Sequence, residues 1–197
     1  MPLPVSALAP PVAPSATPSA GPWVEASEPA ASEAAIAPEQ GVSSWAIQPG
    51  SSLRFRTTWS GEAIAGGFAR FIGDVVFGPE QLAKSAVTIT IDTGSVFSGD
   101  SQRDEALKGD EWFASAANRD AVFKSGTFRK TGTLRMKAVS APVSVPFTLR
   151  ITGDQATMQG SATIDRLAYK IGEGEYASTA EIPARVAVDI MVRARRK

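Results

Sequence analysis

The chain has 197 residues, with 20 Lys plus Arg against 20 Asp plus Glu, 14 Pro, 17 Gly, and neither Cys nor His. That length suits one globular domain with an appendage, and a net charge of zero supplies no basic field to attract nucleic acid. Without thiols or imidazoles, the chain is excluded from thiolate chemistry, zinc sites built from sulfur or imidazole, imidazole haem ligation and every histidine-based triad.

Residues 1–44 hold nine of the 14 prolines, eleven alanines, four glutamates (Glu25, Glu28, Glu33 and Glu39) and no Lys or Arg, which leaves −4 on this stretch and +4 on the remainder. Such a tract cannot bury enough apolar surface to offset the entropy of ordering it. We read residues 1–44 as a disordered Pro/Ala-rich linker or tail and residues 45–197 as the folded domain. Trp23, the large apolar side chain of the tail, is read as solvated. The start lacks a basic n-region, its prolines interrupt any apolar run of export-signal length, and no apolar stretch of membrane-spanning length occurs. A chain that begins inside a linker leads us to expect a further module ahead of it.

From Trp45 onward hydrophobicity alternates with a period of two, the signature of strands with one wet face. Leu53, Phe55, Thr57 and Trp59 share a face opposite Arg54, Arg56 and Thr58. Between Phe68 and Phe77 the parity breaks, and a bulge or bend near Gly66-Gly67 or Arg70 would restore it. Val87, Ile89 and Ile91 resume the pattern. One helical patch follows from Asp100 to about Phe113, with Asp100 as N-cap, Gly109 as terminator, Asp110 capping a second turn, and Asp104 and Lys108 spaced for an i,i+4 ion pair. Ser125-Gly126 reads as a tight hairpin between Val122-Phe123-Lys124 and Thr127-Phe128-Arg129. Val143 to Ile151, Ala156 to Ile164 and Val186 to Val192 alternate again, the first two joined by a Gly153-Asp154 turn. About eight strands at this spacing predict an all-β closed barrel or sandwich, its helix plugging one end.

Catalytic patterns are lacking: there is no phosphate loop, no nucleophile elbow and no Ser three residues before a Lys. Gly172-Glu173-Gly174-Glu175 reads as a turn, since it has neither the strand-to-helix context nor the third glycine of a dinucleotide site. The acids Asp100, Asp104, Glu105, Asp110 and Glu111 are read as caps and ion pairs, with general acid–base work or a hard cation as the alternative. Arg193, Arg195, Arg196 and Lys197 are read as a solvated, frayed terminus, with attraction to anionic lipid head groups as the alternative.

An ordered series of short motifs resembles the YceI-like proteins. It begins with Gly66-Gly67-Phe68-Ala69-Arg70-Phe71 and continues through Asp74 to Ala83, Val87 to Val96, Gly99-Asp100 and Arg103 to Lys108. Glu111-Trp112-Phe113, Ala121 to Ser125, Gly132 to Lys137, Pro142-Val143, Asp165-Arg166 and Ile171 to Tyr176 complete it, so that it covers essentially all of 45–197. The resemblance implies an eight-stranded antiparallel lipocalin-like β-barrel with one short helix, holding a long isoprenoid chain, in a mostly periplasmic or secreted family. It also implies a partner, because some such domains follow a b-type di-haem membrane cytochrome through a Pro/Ala-rich linker like residues 1–44. Any haem would then belong to that module. Two departures stand out: the loop after the Phe-x-Ser motif is cut to Ser125-Gly126, and Trp59 stands where many relatives carry a histidine. No catalytic residues follow from the resemblance.

The expected ligand is an isoprenoid lipid or isoprenoid quinone, with no covalent cofactor and no metal. Phe55, Phe68, Phe77, Phe123 and Phe147 would either fill an eight-stranded barrel or line it, while Ala156, Gly160 and Ala162 leave room. Trp59, Ile89, Met136, Met158 and Ile164 complete the expected wall, and Arg54, Arg56 or Arg103 would meet a head group at a mouth. The function expected is non-enzymatic sequestration or transport of that lipid in the periplasm. One alternative is a filled barrel docking on a membrane cytochrome, and another is an enzyme using Asp104 and Glu105 on a lipid head group.

Overall fold

The computed structural model describes residues 41–127 and 129–197. Among these are twelve strand segments and one α-helix. Four pairs of segments are halves of a single bent path. β1 (Ser43–Ile47) and β2 (Ser52–Trp59) are joined by a bulged turn held against the opposite strand, where Gln48 N–H donates to the Arg193 carbonyl at 2.8 Å and Arg193 N–H to Ser51 Oγ at 2.9 Å. β3 (Glu62–Phe68) and β4 (Phe71–Phe77) bend at Ala69-Arg70, which puts Phe68 and Phe71 on the same inner face despite their parity. A 3-10 turn over Thr93–Ser95 separates β5 (Ala86–Asp92) from β6 (Val96–Phe97). Val145-Pro146 separates β9 (Val139–Ser144) from β10 (Phe147–Thr152), the proline marking the point where the path changes partners. With β7 (Asp120–Ser125), β8 (Thr131–Met136), β11 (Gln155–Asp165) and β12 (Arg185–Arg196) unbroken, eight paths remain.

Each path runs antiparallel to the next along the chain, and β12 returns to the first path, with Trp45 opposite Arg196 and Val188 opposite Phe55. The sheet therefore closes as an up-and-down barrel and removes the edges an open sheet would expose. At the β9–β10 bend, Ser161 N–H of β11 donates to the Pro146 carbonyl at 3.2 Å and keeps the wall joined. Beyond it, β11 is the strand partner of β10 among the described residues.

Four local expectations are corrected. The β7–β8 connection is the longer loop 126–130 and not a two-residue hairpin; Phe128 lies outside the described residues. In α1 (Ser101–Lys108), Asp100 accepts from Arg103 N–H at 2.8 Å and Gly109 ends the helix, but Lys108 pairs with Glu105 at 2.7 Å. Asp104 instead accepts from both the N–H and the hydroxyl of Ser98 at 2.6 Å, fixing the helix to the end of β6, and turns follow where a second helical turn was expected at Asp110. The C-terminus is not frayed, because β12 runs to Arg196, whose guanidinium lies 5.1 Å from the centre of the Trp45 ring, and Arg195 pairs with Asp154 at 2.7 Å.

Inward-facing glycines set the shape of the interior. A Cβ on Gly66 would collide with the Phe97 carbonyl and with the tip of the Phe55 ring, its cross-strand neighbour. A Cβ on Gly132 would collide with the tip of the Phe123 ring and lie 2.6 Å from the Lys124 carbonyl. Both rings thus lie over glycine backbone along the wall. Overpacking such contacts costs about 1–3 kcal/mol. Gly66→Ala and Gly132→Ala are each expected to lose about that much stability in denaturant unfolding, whereas Gly126→Ala, with nothing within 4 Å of its Cβ, stays within about 0.5 kcal/mol of the parent.

Candidate ligand-binding cavity

The barrel encloses a cavity of about 550 Å³. Its lining runs the length of the first path, from Trp45 to Trp59, and across β12 from Val186 to Ala194. Nearly every inward side chain on it is aliphatic or aromatic, as one alternating face of each strand dictates. One end is closed by Trp45 and Phe77, 2% and 6% exposed, packed with Ala194, Leu149 and Ala156. The Trp45 indole N–H donates to the Phe77 carbonyl at 3.4 Å.

The other end is covered by two segments. The first is α1 with the turn after it, which contributes Leu107, Trp112 and Phe113; the second is the loop between β11 and β12, which contributes Ile171, Tyr176 and Ile182. Phe113 meets Phe68 edge-on at 5.4 Å, and Tyr176 contacts Trp112 at 5.2 Å and Trp59 at 6.2 Å. A hydrogen bond and the adjacent charge of Glu175 hold the Tyr176 phenol above its ordinary pKa.

Two cations fasten this cover. Arg166 is 3% exposed. It donates to the carbonyls of Pro183, Ile171, Gly172, Tyr176, Ser178 and Ile182 at 2.9–3.2 Å. Burial pushes its pKa down, opposed by the Asp165 carboxylate. A guanidinium has five donors in a rigid fork, so this single side chain satisfies the turns of a loop with little ladder of its own. Lys137 Nζ donates to the carbonyls of Asp110 and Lys170 at 3.0 and 2.7 Å and to Glu173 at 3.2 Å, tying the β8–β9 turn to both covering segments. The Glu111 carbonyl accepts from Gly172 and Glu173 N–H at 2.7 and 2.9 Å and joins the two segments directly.

Of the residues named from sequence, Phe55, Trp59, Phe68, Phe77, Ile89 and Phe123 line the cavity. Met136, Phe147, Met158, Ala162 and Ile164 line it too. Gly160 does not: the Pro146 carbonyl and Phe147 Cβ stand 3.0 and 3.1 Å from where its Cβ would be, so its missing side chain admits the bent β9–β10 path. Arg56 points outward and pairs with Asp189 at 2.7 Å. Arg54 borders the cavity, but its guanidinium lies over the Phe97 ring at 5.8 Å on the outer face. Arg103 remains of the three. It lines the helix end and forms a small side pocket with Trp59, Glu62 and Ile64. The buried Thr57 hydroxyl on the cavity wall has no hydrogen-bond partner among the described residues. Sequence reading gave no role to Arg166, Arg129 or Tyr176; a buried cation at a strand end leaves no periodic signal. The acid cluster does not converge, since Asp100 caps α1, Asp104 binds Ser98 and Glu105 binds Lys108.

A model of the YceI-like domain matches residues 45–194. The chain belongs to the YceI-like family. Burkholderia cenocepacia BcnA superimposes with a TM-score of 0.69 at 26% identity, over 73% of this chain and 95% of that one. A polyisoprenoid-binding domain from Saccharophagus degradans gives 0.65 at 16% identity, over 79% and 99%. The Campylobacter jejuni YceI protein gives 0.58 at 21% identity, over 67% and 84%. By sequence, a UPF0312 protein of Vibrio parahaemolyticus is 28% identical over 103 residues, 48% of this chain, and the match spans about half (54%) of that relative's length.

In this YceI-like domain, Arg166→Met would strand several buried carbonyls, each costing about 1–3 kcal/mol. We expect a loss of at least about 3 kcal/mol in denaturant unfolding, with faster amide exchange across residues 171–183. Arg166→Lys is expected to recover only part of it, because an ammonium has three donors where the guanidinium has five.

Proposed function

We propose that this YceI-like domain binds one long isoprenoid chain in its barrel and sequesters or carries it through water without chemical change. The observation that carries the reading is the continuous apolar cavity of about 550 Å³, a volume in the range of small-molecule sites and elongated along the barrel. Burial is worth about 0.8 kcal/mol per CH₂, so each five-carbon unit contributes about 4 kcal/mol and the chain outweighs any single polar contact. The match to a solved polyisoprenoid-binding domain supports the same choice. A barrel filled for docking alone would leave no such space. The structural engagement of Asp104 and Glu105 argues against their use as an acid–base pair.

The Arg103 guanidinium at the helix end, with no ion pair among the described residues, is suited to donate to a head-group oxygen, as a quinone or phosphate would present. The tail of residues 1–44, read as a linker, supports the extension of the proposal to a tethered periplasmic carrier beside a membrane cytochrome, with quinone as its cargo.

Native mass spectrometry of the full chain, followed by organic extraction, is expected to release one prenyl lipid or quinone per chain. Met158→Trp, which places an indole in the cavity, is expected to cut uptake of added ubiquinone by roughly tenfold or more at an unchanged melting midpoint. A lipid-free parent protein that also rejects ubiquinone would sink the proposal.

A further inference from the structure

The charges of the barrel are sorted by end. At the end where β12 finishes, the strand termini and their loops carry Lys84, Arg129, Lys130, Arg195, Arg196 and Lys197, all exposed, against the carboxylates of Glu80 and Asp154. Among the described residues, six cations against two anions put +4 on this rim, equal to the whole excess of the part of the chain after residue 44. Register places them together, since Arg196 pairs with Trp45, Ser43 with Phe77, Val76 with Ala86 and Val87 with Ser125. Lys197 N–H donates to the Ser44 carbonyl at 2.9 Å and Arg196 N–H to the Asp154 carbonyl at 2.8 Å, so the basic terminus is built into the rim. The opposite end, around α1 and the β11–β12 loop, exposes Glu62, Glu105, Glu111, Glu175 and Glu181. Leu82, 49% exposed, stands two residues before Lys84 on the basic rim.

An exposed apolar side chain ringed by lysine and arginine, on a body whose far end is acidic, matches an anionic bilayer surface: the field orients the molecule and the leucine enters the interface. We propose that the basic rim docks this barrel on membranes rich in anionic phospholipid, with Arg129, Lys130 and Lys197 toward the bilayer and α1 away from it. Arg129 belongs to this rim and also lines the cavity.

The test is co-sedimentation of the full chain with phosphatidylcholine vesicles, with and without phosphatidylglycerol. Binding is expected only with phosphatidylglycerol and is expected to vanish at high ionic strength. Lys130→Glu with Lys197→Glu takes the rim from +4 to zero and is expected to weaken partitioning roughly tenfold or more, with Lys130→Gln and Lys197→Gln intermediate. Adding Glu62→Lys and Glu181→Lys restores the net charge at the wrong end and is expected not to restore binding. Indifference of the parent chain to phosphatidylglycerol, unchanged binding by the rim variants, or recovery in the compensated variant would each overturn the proposal. A chain that docks but yields no prenyl lipid on extraction refutes the carrier reading alone, and one that holds lipid but ignores vesicles refutes the docking alone.

Discussion

The placement of wide aromatic rings over glycine governs what the interior of this barrel can be. Eight strands close around a space that side chains ordinarily fill. Here the rings of Phe55 and Phe123 lie with their tips over Gly66 and Gly132 on the neighbouring strand, and the bent path through Pro146 takes the space above Gly160. Aromatic surface is thereby spread along the wall and the axis stays open. The same contacts that pin strand register also keep the cavity, so binding capacity and fold stability rest on one set of residues.

The cover at the helix end follows a different logic. Its two segments have little regular hydrogen bonding of their own, and buried carbonyls left unpaired would be costly. Arg166 answers most of that need within the β11–β12 loop, and Lys137 and the Glu111 carbonyl join the loop to α1. The bonds of Arg166 are to neutral carbonyls, and the charge of the neighbouring Asp165 carboxylate opposes the cost of burying this cation beneath the cover. Of the acids that by composition resembled a catalytic cluster, Asp104 ties α1 to Ser98 after β6 and Glu105 pairs with Lys108 within the helix.

The two ends are consequently distinct in chemistry as well as in build. One is sealed by Trp45 and Phe77 and rimmed by cations; the other is closed by a stapled cover and bears the acids. That polarity gives the barrel a direction, which a body with a uniformly mixed surface would lack.

Sequence by itself determined the strand paths, the inward face of each and the helix cap, because a period of two and an Asp100 three residues before Arg103 are local properties written in residue order. It also placed most of the cavity wall, since inward parity in a closed barrel is the same as lining the interior. Only the tertiary structure decided whether that interior was filled, because volume depends on which ring lies over which glycine across strands. It likewise separated Arg103 from Arg54 and Arg56, whose guanidinium groups are engaged on the outer face by Phe97 and Asp189. Gly160 looked like room for a ligand and proved to be room for backbone. The frayed basic tail became an ordered rim because β12 pairs with β1 up to Arg196, a contact 151 residues apart in the chain that no local pattern records.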